Sequence, residues 1–237
     1  MSRFVLTGDS HSISYLNAIK KCGRSELVDG GPLGAARTYF DRFFEIADGD
    51  FVFTKKNVAS HYRNFKKVTG CNSLFDLKGK LLLSVALSGT TFLSDRFWNK
   101  AKASVEADKR FISSGALQYW IDSIQENAIS FYNVCIESGL LAAALAPPPF
   151  QSRAKAIRIH GRDELFRLEE LYRKPIVDLL SRKGVPIITF DLADQDGFLK
   201  EEFWADDPHH ANSECGHVLV EKIEKVFFKL LRRSLLK

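Results

Sequence analysis

Five short stretches, 4–7, 26–28, 81–87, 140–145 and 185–190, are mostly apolar at consecutive rather than alternate positions. A strand wet on one side alternates. One that is apolar on both sides belongs inside a sheet covered by helices above and below, the usual setting of parallel strands. Helical periodicity fills the intervals between them. Ile13, Leu16, Ala18 and Ile19 mark a first helix closing near Gly23; Tyr119, Ile121, Ile124, Ala128 and Phe131 mark another; Leu165, Leu168, Leu171, Ile176, Leu179 and Leu180 mark a long one ending before Gly184. This alternation predicts an α/β chain, a flavodoxin-like three-layer α/β/α fold with a mostly parallel five-stranded sheet. In such folds the ligand site lies outside the carboxyl ends of the strands.

The chain of 237 residues is long enough for one large core and short for two, so a single domain is expected over 1–237. The interval 37–79 exceeds what a crossover needs, and Asp48-Gly49 between apolar flanks predicts a hairpin, so an insertion near the site is expected there. With 45% hydrophobic and 27% charged residues, the composition is that of a globular protein and not of a disordered chain. The 19 phenylalanines predict a core rich in rigid rings.

Cys22, Cys71, Cys135 and Cys215 are widely spaced without metal-ligand patterning, and they read as free thiols. His61, His160 and His217 have no organised partners in sequence, so no metal and no cofactor is expected. Met1-Ser2-Arg3 runs straight into the first apolar stretch without a signal-peptide pattern, and a cytoplasmic location is the expectation. The most apolar later stretch, 139–150, is too short to span a bilayer and carries Pro147-Pro148-Pro149. A net charge of +5 does not amount to a nucleic-acid signature. Part of it recurs as Lys222, Lys225, Lys229, Arg232 and Arg233 opposite Leu219, Ile223, Val226, Phe227 and Leu230, the solvated face of a terminal helix packed on the core.

Two motifs carry chemistry. Gly8-Asp9-Ser10-His11-Ser12 follows the first apolar stretch, and Asp207-Pro208-His209-His210 precedes the last helical pattern. A serine on a sharp strand-to-helix turn can be presented as a nucleophile, while Asp and His three positions apart can supply a base and the group that orients it. Each motif alone is a common loop sequence. Their joint placement at opposite ends of one α/β-patterned chain resembles the GDSL, or SGNH, hydrolase superfamily, whose first motif is Gly-Asp-Ser and whose last is Asp-x-x-His.

The resemblance implies Ser10 as nucleophile, His210 as base and Asp207 as its orienting carboxylate. Asp206-Asp207-Pro208-His209 also satisfies Asp-x-x-His, so the Asp206/His209 frame stays open. The continuation His210-Ala211-Asn212 resembles the family's frequent His-x-Asn and favours the first frame. The family's oxyanion hole implies the Ser10 N–H, a glycine N–H after the second strand and an asparagine after the third. Gly34 of Gly31-Pro32-Leu33-Gly34 fits the glycine, whereas Ser88-Gly89-Thr90-Thr91 puts Thr91 where the asparagine belongs. Asn72 precedes its strand and would lie at the wrong end. Ala146-Pro147-Pro148-Pro149 resembles the proline-rich turn after the fourth strand. His11 and His209 are candidates for substrate contact.

The expected function is a serine-dependent ester hydrolase or acyltransferase acting through an acyl-enzyme on a small acylated molecule or glycan. The alternative is a catalytically weak SGNH-like domain that binds a carbohydrate or protein partner. A nucleotide-binding reading of the same fold lacks a P-loop or Gly-x-Gly-x-x-Gly sequence.

Overall fold

The structure, a computed structural model, describes residues 4–103 and 110–235, with side chains described as far as Lys229. Met1, Ser2 and Arg3, and the side chains of Leu230, Arg232 and Arg233, therefore lie outside what is described. In chain order the main elements are β1 (Phe4–Gly8), α1 (Ser10–Lys21), β2 (Val28–Pro32), β3 (Phe44–Ala47), β4 (Asp50–Phe53), α2 (Lys56–Thr69), β5 (Leu81–Ser84) and α3 (Thr90–Leu93). There follow β6 (Ala101–Lys102), β7 (Arg110–Phe111), α4 (Ser114–Glu137), β8 (Leu141–Leu145), α5 (Lys155–His160), α6 (Arg162–Arg182), β9 (Ile187–Ile188) and α7 (Gly216–Leu235).

Five strands form one all-parallel sheet in the order β2-β1-β5-β8-β9. Successive side chains of a strand point to opposite faces, and here both faces are covered. Phe4 and Leu6 of β1 and Leu82 of β5 join Tyr15 and Ile19 of α1 and Leu219 and Ile223 of α7 on one side. Val5, Leu81 and Leu83 join Phe65 of α2, Phe131 of α4 and Ile176 of α6 on the other. This two-sided burial explains the unbroken apolar stretches and gives the expected α/β/α architecture.

The second strand lies further along than its apolar residues indicate: β2 is Val28–Pro32, not 26–28. Asp29-Gly30-Gly31-Pro32 has the composition of a turn, but Gly30 is selected by proximity. A Cβ there would lie 2.0 Å from the Leu6 carbonyl oxygen, at a φ of 136°. Because β2 is the sheet edge, Pro32 is tolerated. The third strand closes at Ser84. Val85, Ala86 and Leu87 remain buried as loop, the carbonyls of Val85 and Ala86 accepting from Tyr132 Oη (3.1 Å) and Gln125 Nε2 (3.2 Å) of α4. The fifth strand contracts to the pair Ile187–Ile188. Ile13 and Tyr119, placed on core faces by periodicity, are 43% and 78% exposed.

Between β2 and β5 the chain forms the β3–β4 hairpin about Asp48-Gly49, both at positive φ, before α2 makes the crossover. No hairpin residue is among those that line the cleft over Ser10 described below. Phe44, Phe51 and Phe53 pack on Phe131 of α4, a helix on the face of the sheet. Asp50 fastens it, accepting from Tyr62 Oη (2.7 Å) and Ser73 Oγ (2.5 Å). All four cysteines are free thiols. Among the described residues, no helix is long and apolar enough to cross a membrane.

The sheet order places β2 on one side of β1 and β5 on the other. The order in which strands are added therefore reverses at β1, opening a crevice beyond the carboxyl ends of β1 and β5.

Candidate active site

Ser10 stands in that crevice as the first residue of α1. It is presented there by a close backbone approach: a Cβ on Gly8 would lie 1.9 Å from the Ser84 carbonyl oxygen, so only glycine lets β1 and β5 pair to their ends. Asp9 then caps the helix, its carboxylate accepting the His11 backbone N–H at 3.0 Å. Strand, cap and helix start leave the Ser10 side chain facing the last loop of the chain.

That loop folds around Asp207, whose Oδ1 accepts the backbone N–H groups of His209 (2.9 Å) and His210 (3.1 Å). The turn brings His210 Nδ1 to 2.8 and 3.0 Å from the two Asp207 oxygens and His210 Nε2 to 2.8 Å from Ser10 Oγ. Burial opposes ionisation of Asp207, but the donors from His209 and His210 hold its carboxyl below the ordinary value. An ionised Asp207 fixes the proton of His210 on Nδ1, leaving the Nε2 lone pair to accept the Ser10 proton.

A cleft of about 330 Å³ opens over Ser10, walled by Ala35 and Ala36 after β2, by Ser88, Thr90, Thr91 and Ser94 around α3, and by His11, His209 and His210. The loop after β5 is tied from beneath. Glu169 of α6, only 5% exposed, accepts the Gly89 N–H at 3.1 and 3.3 Å and pairs with Arg173, whose Nε donates to the Leu87 carbonyl at 2.8 Å. The 207–210 loop is held similarly. Buried Gln151 donates to the carbonyls of Asp207 (2.8 Å) and His210 (2.9 Å), and Arg153 braces Gln151 at 2.7 Å while donating to Ala205 (2.5 Å) and Asp206 (3.1 Å).

Solved structures share this arrangement of strands and helices. A protein from Desulfitobacterium hafniense assigned to the G-D-S-L lipolytic family matches 95% of the chain and 99% of its own length, with a TM-score of 0.53 and 12% identity. A Bacteroides fragilis protein assigned as an acylhydrolase matches 99% of the chain and 88% of its own, with a TM-score of 0.51 and 12% identity. A GDSL-like lipase from Bacteroides thetaiotaomicron matches 94% and 88%, with a TM-score of 0.50 and 11% identity. The chain has the SGNH-hydrolase fold. No protein-family profile and no curated protein sequence matches it.

Within the SGNH fold the structure brings Ser10, Asp207 and His210 together and separates the two possible frames. Asp206 gives its backbone carbonyl to Arg153, and the His209 ring lines the cleft with its Nδ1 buried and without a hydrogen bond, whereas the His210 ring bonds to Ser10. Burial lowers the His209 pKa below its ordinary value, outweighing nearby Asp207, so this ring is neutral at pH 7. Thr91 lines the cleft. Gly34 does not offer a free donor: its N–H points to the Gly8 carbonyl at 3.3 Å, and Ala35 and Ala36 form the wall instead. Both ring nitrogens of His11 are held by protein groups, Nδ1 by Asp9 at 3.0 Å and Nε2 by the His209 carbonyl at 3.2 Å, so neither is open to a substrate.

Sequence reading missed Glu169, Arg173, Gln151 and Arg153. Glu169 left a signal, because it falls on the core-facing stripe of α6 with Leu165, Leu168, Tyr172 and Ile176, where a carboxylate needs a buried partner. Gln151 and Arg153 left none; apart from their contact with each other, their partners are backbone carbonyls more than fifty residues away.

Proposed function

We propose that this chain is a serine-dependent ester hydrolase or acyltransferase that forms an acyl-enzyme on Ser10 from a small acylated molecule or glycan. The observation that carries the reading is the continuous hydrogen-bonded relay from Ser10 Oγ through His210 to Asp207. A serine hydroxyl is a poor nucleophile at neutral pH, and an oriented imidazole within hydrogen-bond reach removes that obstacle.

In the first half-reaction Ser10 Oγ bonds to the ester carbonyl carbon while His210 Nε2 takes the hydroxyl proton and the carbonyl π pair moves onto oxygen. Asp207 stabilises the resulting imidazolium. The tetrahedral species collapses by expelling the alcohol oxygen, which takes the proton from His210. Water, or the hydroxyl of an acceptor, then attacks the acyl-enzyme by the same steps and regenerates Ser10. In this reading the Ser10 N–H at the start of α1 and the hydroxyl of Thr91, which lines the cleft, receive the oxyanion, with the helix N-terminus adding positive potential. A cleft of about 330 Å³ walled by Ala35, Ala36, Ser88 and Thr90 suits a short acyl group. The acylhydrolase and lipase assignments of proteins sharing the fold agree with this chemistry.

Thr91 in place of an asparagine favours a second reading, a weakly catalytic domain that retains ligand binding in the cleft. One experiment separates the two. Fluorophosphonate labelling read by intact mass should give a single adduct on Ser10, abolished in Ser10→Ala and in His210→Ala but retained in His209→Ala. A folded protein that takes no adduct supports binding without catalysis, and loss of labelling in His209→Ala with retention in His210→Ala overturns the assigned frame.

A further inference from the structure

Two histidines face each other in the site, and the chemistry above uses only one. The His11 ring lies 4.9 Å from the His210 ring, centroid to centroid, and is 5% exposed. Its Nδ1 is 3.0 Å from Asp9 Oδ1, and its Nε2 is 3.2 Å from the His209 carbonyl oxygen. A carbonyl and a carboxylate only accept. A neutral imidazole has a single N–H and would turn a lone pair toward one of these two oxygens, whereas an imidazolium donates to both.

The charged and titratable groups around His11 agree with that assignment. Burial opposes the charged ring, but Asp9, itself 1% exposed, and the His209 carbonyl outweigh it and raise the His11 pKa, against a smaller opposing influence of Arg173 from α6. From the facing turn come His209, lowered and neutral, and His210 with Asp207 behind it.

We propose that His11 is a positioning residue: held as an imidazolium between Asp9 and the His209 carbonyl, it pins the turn that carries His210. That pin keeps His210 Nε2 at 2.8 Å from Ser10 Oγ. The consequence for Ser10 rests on the serine-hydrolase reading, while the charge on His11 does not.

The test is NMR of the full chain labelled with ¹⁵N-histidine, the ring nitrogens followed from about pH 5 to about pH 8, the range in which histidines titrate. Both His11 nitrogens should read as N–H at neutral pH. Asp9→Asn, which keeps a capping side chain, should leave His11 singly protonated. In His11→Gln, and more weakly in Asp9→Asn, the His209 and His210 backbone amides should exchange with solvent faster than in the parent as the turn loosens. Asp9→Asn carries the test should His11→Gln fail to fold. A singly protonated His11 in the parent at neutral pH, or His209 and His210 amides that exchange no faster in the variants, overturns the proposal. Fluorophosphonate labelling of the same samples keeps the two readings apart: no adduct with the expected His11 protonation and amide exchange refutes the hydrolase assignment alone.

Discussion

Replacing Glu169 by alanine should reveal how strongly α6 holds the cleft wall. Glu169 accepts the buried Gly89 N–H and pairs with Arg173. Truncation leaves that N–H without a partner, a cost of about 1–3 kcal/mol. Stranding a fully buried arginine would add about 3–5 kcal/mol. Arg173, however, has a side chain 29% exposed and keeps its bond to the Leu87 carbonyl, so that part falls to about 1 kcal/mol by the same reasoning. The expected total is about 3 kcal/mol. For 237 residues the unfolding entropy near the melting temperature is about 0.5 kcal/mol/K, so Tm should drop by about 6 °C. Glu169→Gln, which retains an acceptor of the same shape, should lose about half as much. Thermal unfolding by circular dichroism measures both, and a double-mutant cycle with Arg173→Met should return a coupling of about 1 kcal/mol. A Glu169→Ala protein melting within about 2 °C of the parent would refute this accounting.

The hairpin should respond to acid through Asp50. Burial opposes its ionisation, but donors from Ser73, Tyr62, Phe51 and Lys66 hold its carboxyl below the ordinary value of 3.8. A depressed native value stabilises the fold fully above the unfolded value, and the contribution fades as pH falls through the lower native one. Asp50→Asn should therefore lower the urea midpoint at pH 7 and flatten its decline below about pH 4; curves that stay parallel to the parent's would reject the role. At the cleft, Thr91→Val should slow fluorophosphonate labelling of Ser10 by up to about 10²–10³-fold if the hydroxyl receives the oxyanion, whereas Thr91→Asn should preserve or raise the rate. Equal rates in the two variants would remove Thr91 from the oxyanion hole.

Much of the fold was readable because burial on both faces of a parallel sheet leaves a local trace. The stretches at 4–7 and 140–145 correspond closely to β1 and β8. Where the reading slipped, a long-range contact had overridden local composition. Gly30 and Pro32 look like a turn and form an edge strand because Leu6 and Gly8 of β1 lie against them. Val85 to Leu87 look like strand and form loop because Tyr132, Gln125 and Arg173 satisfy their carbonyls. Tyr119 fits a helical stripe, yet it stands 78% exposed, since periodicity marks a face without showing where along the helix the neighbours end.

The candidate site divides along the same line. The sequence alone determined that Gly8-Asp9-Ser10 would sit at a strand-to-helix turn and that Asp207 would lie three positions before His210, because strand, cap and turn chemistry are local. Only the tertiary structure decided that His210 Nε2 meets Ser10 Oγ across 200 residues, that Gly34 gives its N–H to Gly8, and that His11 is held between Asp9 and the His209 carbonyl. A hydrogen bond depends on distance and direction to within a few tenths of an ångström, and those are fixed by how the packed helices and sheet set the loops against one another.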